Sequence, residues 1–159
     1  MKKILLIVFL FSGFGLISQA QINPHALGLR LGGGDDFYGG EISYQHGLSD
    51  ANRLEFDLGW GGNDHHNRMF LTGIYHWDWN LTGGLNWYVG PGAGIGFYHY
   101  DYSEDYTNVA IGGQIGLEYD FNKNGAPILL SLDVRPMWDL LGDYSGFGWG
   151  TALGIRYTF

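Results

Sequence analysis

Residues 87–98 read WYVGPGAGIGFY, with glycine at every second position: Gly90, Gly92, Gly94 and Gly96. Successive side chains of a strand point to opposite faces, so this spacing strips one face and leaves the other clothed. Glycine inside a strand costs backbone entropy and adds no packing. Its regular use on one face therefore implies that something bulky approaches that face.

The same period of two runs through the chain. Leu54, Phe56, Leu58 and Trp60 alternate with Arg53, Glu55, Asp57 and Gly59. Val109, Ile111, Ile115, Leu117 and Tyr119 alternate with Ala110, Gly112, Gln114, Gly116, Glu118 and Asp120, and the segments 128–135 and 149–159 behave alike. No helical apolar period occurs after the first twenty residues. Turn-forming clusters separate the runs: GGGDD at 32–36, LSDAN at 48–52, GNDHHN at 62–67, DYSEDYTN at 101–108, NKNGAP at 122–127 and LGDYSG at 141–146. Eight strands are predicted, near 26–32, 38–47, 52–61, 68–79, 86–100, 108–121, 127–138 and 147–159.

The opening MKKILLIVFLFSGFGLISQA has two lysines, an apolar stretch and a small-residue cleavage site. It is expected to be a secretory signal, 1–20, removed after Ala20, which leaves 21–159 as one domain. Cysteine is absent, which excludes a disulfide framework and a lipid-anchored start. Without the two leader lysines, six basic residues face sixteen acidic ones, a formal charge of −10, so nucleic acid is not an expected partner. Charged residues are only 15% of the sequence, against roughly 25% in soluble globular proteins, while aromatics reach 17%. Little of this composition suits a water-facing surface.

Alternation does not say which face is outside; volume does. An eight-stranded barrel has an interior just wide enough to be filled by side chains. The apolar face carries Trp60, Trp77, Trp87 and Trp149, whereas the other carries glycine, alanine and serine between a few long polar residues. The apolar face is therefore expected to meet lipid, and the slim polar face to line the lumen. All five mature arginines, Arg30, Arg53, Arg68, Arg135 and Arg156, fall on the inward parity with Glu41, Glu55, Asp57, Asp78, Glu118 and Asp133. Buried charges require pairing and hydrogen bonds, which arginine forks and carboxylates supply. The lumen is expected to be a salt-bridged plug, with the alternate glycines leaving room for long side chains that reach across. The predicted fold is an all-β, closed, eight-stranded, antiparallel, up-and-down transmembrane barrel.

Aromatics group at two levels, expected as girdles: Trp77, Trp79, Trp87, Tyr157 and Phe159 at one rim, and Trp60, Tyr98, Tyr100, Trp138 and Trp149 at the other. Phe70 and Ile74 fall on the lumen parity, and Pro91 and Pro136 each remove a ladder donor. A bulge or register slip is expected in one or two strands there.

The alternating strands, GLNWYVGPGAGIGFY at 84–98, LSLDVRP at 130–136 and the terminal GIRYTF resemble the small OmpA/OmpX-like outer-membrane barrels, particularly those of Bacteroidota. The resemblance implies a monomer in the outer membrane with both termini periplasmic and with lipids and lipopolysaccharide around it. It also implies that Tyr157 and Phe159 form the C-terminal signal read by the barrel-assembly machinery. Such barrels share a fold and not one activity.

The expected role is non-enzymatic, structural or in surface interaction, with no cofactor, no catalytic residues and no metal site. Asp64, His65 and His66 hold metal-ligating types but read as a solvated loop, lacking further ligands at a familiar spacing. Asp101, Glu104 and Asp105 among Tyr98, Tyr100, Tyr102 and Tyr106 suggest the first alternative, a surface-binding module for cations or glycans. His99, Ser103 and Glu104 supply the residue types of the second, a lipid A modifying rim enzyme, although a triad is defined by geometry.

Overall fold

The computed structural model describes residues 22–34, 38–63, 66–100, 106–141 and 146–159. The leader and the candidates Asp64, His65, Asp101, Tyr102, Ser103, Glu104 and Asp105 lie outside them.

Eight strands follow one another, each within three residues of its predicted ends: β1 (His25–Gly34), β2 (Tyr38–Ser49), β3 (Asn52–Asn63), β4 (His66–Thr82), β5 (Leu85–Tyr100), β6 (Tyr106–Asp120), β7 (Ile128–Asp139) and β8 (Gly146–Thr158). Every strand pairs antiparallel with the next, and β8 returns to pair with β1 from Ala26↔Thr158 to Gly34↔Gly150, closing the barrel. Full closure leaves no sheet edge exposed.

Two tight links and one short turn lie at the end that carries both termini. Gly83 adopts a positive φ of 53° in the β4–β5 turn, and Gly125 one of 84° where a 3-10 turn (Phe121–Asn124) ends. Asp120 caps that turn by accepting from the backbone N–H of Asn122 at 2.8 Å.

The wall has the polarity argued from volume. Leu31 and Leu153 are each 65% exposed, Trp138 55% and Trp149 49%, while Arg30, Arg53 and Arg156 are at most 2% exposed. The core of this molecule is polar and its surface apolar, the reverse of a soluble barrel.

The expected slip is not where the sequence placed it. β4 keeps one register against β3 from Asn52↔Trp77 to Asn63↔His66 and, against β5, from His66↔Tyr100 to Asn80↔Asn86. Phe70 and Ile74 point inward, 8% and 0% exposed. They fit because glycines stand beside them: Phe70 lies between Gly59 and Gly96, and Ile74 has Gly92 on one side and Glu55 on the other. A Cβ on Gly92 would lie 2.6 Å from Ile74 Cγ1, so the glycine is the space that the isoleucine fills. Pro91 and Pro136 likewise leave the registers of β5 with β6 and of β7 with β8 unshifted. The register shifts fall at the hairpin ends instead, at Gly47/Ser49 and Asn80/Thr82, where a turn absorbs the extra residue.

The glycine ladder also needs a narrower explanation than side chains reaching across the lumen. At Gly90 the crowding atoms belong to the β4 backbone, at Gly92 to Ile74 and at Gly96 to the Tyr98 ring. Only Gly94 meets a side chain from beyond the neighbouring strand, Met137 Cε, at 3.8 Å.

Candidate functional site

The lumen is the site. Parity along each strand sends arginines and carboxylates inward at successive heights, where they form three connected layers.

Nearest the termini, Arg53 on β3 pairs with Glu118 on β6 at 2.9 Å and with Asp78 on β4 at 3.3 Å. Its Nε donates to His76 Nδ1 at 3.3 Å, and its guanidinium lies 4.8 Å from the centre of the Tyr88 ring. The middle layer centres on Glu55. It accepts from Arg156 at 3.0 Å, Gln45 at 2.6 Å and Gln114 at 3.2 Å, and stands 3.6 Å from Arg135 and 3.8 Å from Arg30. Arg156 spends its remaining donors on Ser43 at 2.9 Å and Ser131 at 2.8 Å. In the third layer Arg30 bridges Glu41 and Asp133, and Arg135 pairs with Asp57 and reaches Glu41 at 3.3 Å. Tyr88 ties the layers together by donating its hydroxyl to Asp133 at 3.1 Å.

Ten of the eleven sequence-predicted lumen residues thus meet in one network. Arg68, the eleventh, lies half-buried in the other half of the barrel, its guanidinium 4.8 Å from the Phe70 ring and 4.9 Å from that of Tyr98. Tyr98 itself is 7% exposed and faces the lumen, so it is not part of the girdle to which its spacing assigned it. Trp60, Trp138 and Trp149 do face outward at that end, and Trp77, Tyr157 and Phe159 at the other, where Trp79 and Trp87 stack at 4.6 Å. His99 is exposed.

Sequence reasoning missed the members that are neither arginine nor carboxylate: Tyr88, His76, Gln45, Gln114, Ser43 and Ser131. Their inward parity was readable, but their choice of partner depends on which strands face each other across the barrel.

Above the third layer the ion-pair network gives way to open space. A cavity of about 100 Å³ occupies the half of the lumen away from the termini, walled by Phe70, Thr72, Gly94, Asn108 and Met137, with Arg30, Glu41 and Arg135 as its floor. Asn108 is 3% exposed, and its amide oxygen has no hydrogen-bond partner among the described residues. The lumen is therefore a polar plug on the terminal side and a cup on the other. Buried together, the charges of the three layers strengthen one another's hydrogen bonds.

No family model matches the chain, and no curated protein does. Solved structures do. Neisserial surface protein A superposes with a TM-score of 0.67 at 12% identity, over 85% of this chain and 96% of that one. The N-terminal β-barrel domain of Pseudomonas aeruginosa OprF gives 0.53 at 23% identity, over 86% of this chain and 100% of that one. Ail, the attachment invasion locus protein of Yersinia pestis, gives 0.53 at 11%, over 85% and 96%. At such identities the likeness is one of fold.

Proposed function

We propose that this chain is a non-enzymatic integral protein of the bacterial outer membrane, a sealed small barrel with a structural or surface-interaction role in the envelope. The observation that carries this reading is the inverted polarity of the wall, with leucines and tryptophans outside and ion pairs inside. Only hydrocarbon makes such an exterior favourable. The similarity in fold to barrels from three Gram-negative genera supports it.

An even number of strands brings both termini to one end, where the Phe159 N–H donates to the His25 carbonyl at 3.0 Å. In this reading that end is periplasmic, 1–20 is a cleaved leader, and the barrel works as a monomer among lipids and lipopolysaccharide. Tyr157 and Phe159 serve as the signal for the assembly machinery, and the resemblance of 84–98 and 130–136 to Bacteroidota barrels indicates the lineage.

The test is fractionation followed by planar-bilayer recording. The protein is expected in the outer membrane, with unheated samples migrating faster than heated ones on detergent gels. The refolded barrel is expected to show no steady, large openings. Recovery in the soluble fraction would overturn the location, and porin-like currents would overturn the seal.

A second reading, a surface-binding module, is favoured by the cup and by the amide oxygen of Asn108 within it, which has no hydrogen-bond partner among the described residues. Deleting 101–106 and assaying cell-surface binding separates the two; unchanged binding removes the module. For the remaining alternative, a lipid-acting rim enzyme, identical lipid A profiles with and without His99→Ala would remove it.

A further inference from the structure

Outside the lumen, the described residues include a polar cluster on the wall that the envelope role does not use. His25 on β1 and Tyr44 and His46 on β2 alternate with the buried Ala26 and Gln45, so all three point outward, at the terminal end of the barrel. Each is half-buried. His25 and His46 are register partners, and their ring centres stand 5.0 Å apart.

Both imidazoles aim the same atom at the same oxygen. Tyr44 Oη lies 3.1 Å from Nδ1 of His25 and 3.4 Å from Nδ1 of His46. A phenol has one proton, so it donates to one ring and accepts from the other. The result is two ring nitrogens gathered on one phenolic oxygen, held by a direct cross-strand pair and a two-residue step along β2. The Phe159 ring packs 5.5 Å from that of His25 and shields one side.

Those two separations are near the edge length of a metal polyhedron. With metal–nitrogen bonds of about 2.0–2.1 Å, tetrahedral ligands stand about 3.3–3.4 Å from one another. The distances of 3.1 and 3.4 Å lie at or just below that edge. Imidazole nitrogens suit copper and zinc, and affinity at such sites rises toward Cu²⁺. Among the described residues no three His, Cys, Asp or Glu are grouped to hold a metal; here the third donor is a phenol, which lies outside that set.

We propose that His25, Tyr44 and His46 form a binding site for a divalent transition metal, Cu²⁺ or Zn²⁺, on the outer wall at the terminal rim. On binding, the phenol proton leaves to solvent and the imidazole that donated through Nδ1 shifts its proton to Nε2, so that both Nδ1 lone pairs and the phenolate oxygen become ligands, and water completes the shell. The ion would fasten β1 to β2 beside the seam with β8.

The test uses untagged full-length mature protein refolded in detergent micelles and titrated with Zn²⁺ or Cu²⁺. One metal per chain is expected, with binding at least tenfold weaker in His25→Ala and in His46→Ala and unchanged in His65→Ala/His66→Ala. The copper form is expected to show a visible phenolate-to-copper charge-transfer band that Tyr44→Phe abolishes. Heat-dependent gel mobility checks that each variant is folded; where an alanine variant is not, the glutamine variant at that position replaces it. Absence of binding to the parent protein, full binding by folded His46 variants, or a band that survives Tyr44→Phe would overturn the site.

Discussion

Glu55 is where the polar partners of the lumen converge: two arginines within 3.6 Å and two glutamine amides share its carboxylate. Replacing one member of a buried ion pair costs more than the pair contributes, because the remaining charges stay desolvated. Glu55→Gln is therefore expected to lower stability by about 3–5 kcal/mol in urea unfolding of the micelle-bound barrel. Gly116 tests the opposite kind of site. A Cβ there would stand 2.5 Å from Tyr88 Cζ and 2.8 Å from Asp133 Cβ. Gly116→Ala is expected to cost about 1–3 kcal/mol through overpacking. Removing the ring with Tyr88→Leu in the same chain should return part of that loss, and strict additivity in the double-mutant cycle would show that the two do not touch. At this scale the charged members of the lumen were legible, because inward parity and charge coincide. Tyr88 and His76 were not, since an aromatic on that parity looks like a misplaced girdle residue until its partner strands are known.

The fourth strand shows how far alternation carries a prediction for a whole element. Phe70 and Ile74 break the apolar-out rule, and the cheapest explanation from one strand alone is a slip that turns them to lipid. The slip is unnecessary because Gly59, Gly92 and Gly96 lie opposite, and nothing in β4 itself reveals that. Register belongs to pairs of strands, so the alternation of one strand cannot fix it. Cross-linking decides the point directly: Leu58→Cys with Leu71→Cys, register partners on the outer face, is expected to form a disulfide under mild oxidation, whereas Leu58→Cys with Thr72→Cys is not. Efficient linkage of the second pair would restore the slip. The lipid-facing side of β8 carries its own test. Leu153 is 65% exposed near the middle of the strand, and Leu153→Arg is expected to destabilise the inserted barrel by about 2–4 kcal/mol, measured by unfolding from vesicles. A neutral result would mean that this surface does not face hydrocarbon.

For the whole molecule, the architecture was legible because an eight-stranded barrel has too little interior for its own tryptophans, so volume assigned inside and outside before any contact was known. The cup was not legible: it arises where glycines of several strands come level, and their heights depend on every register at once. One feature of the lumen reaches beyond the finished fold. Arg30 meets Asp133, Arg156 meets Ser43 and Glu55, and Arg135 meets Glu41, contacts separated by 103, 113, 101 and 94 residues along the chain. Such distant partners make the contact order high, and loop-closure entropy must be met before any of them rewards it. The β1–β2 hairpin holds the Arg30–Glu41 pair and the β3–β4 hairpin the Arg53–Asp78 pair, but Arg135 and Arg156 meet carboxylates only on strands far away in the chain, so partial barrels would strand their charge in an apolar medium. A chain lacking β8 thus lacks Arg156, the arginine nearest Glu55, and leaves β1 and β7 without the strand that joins them.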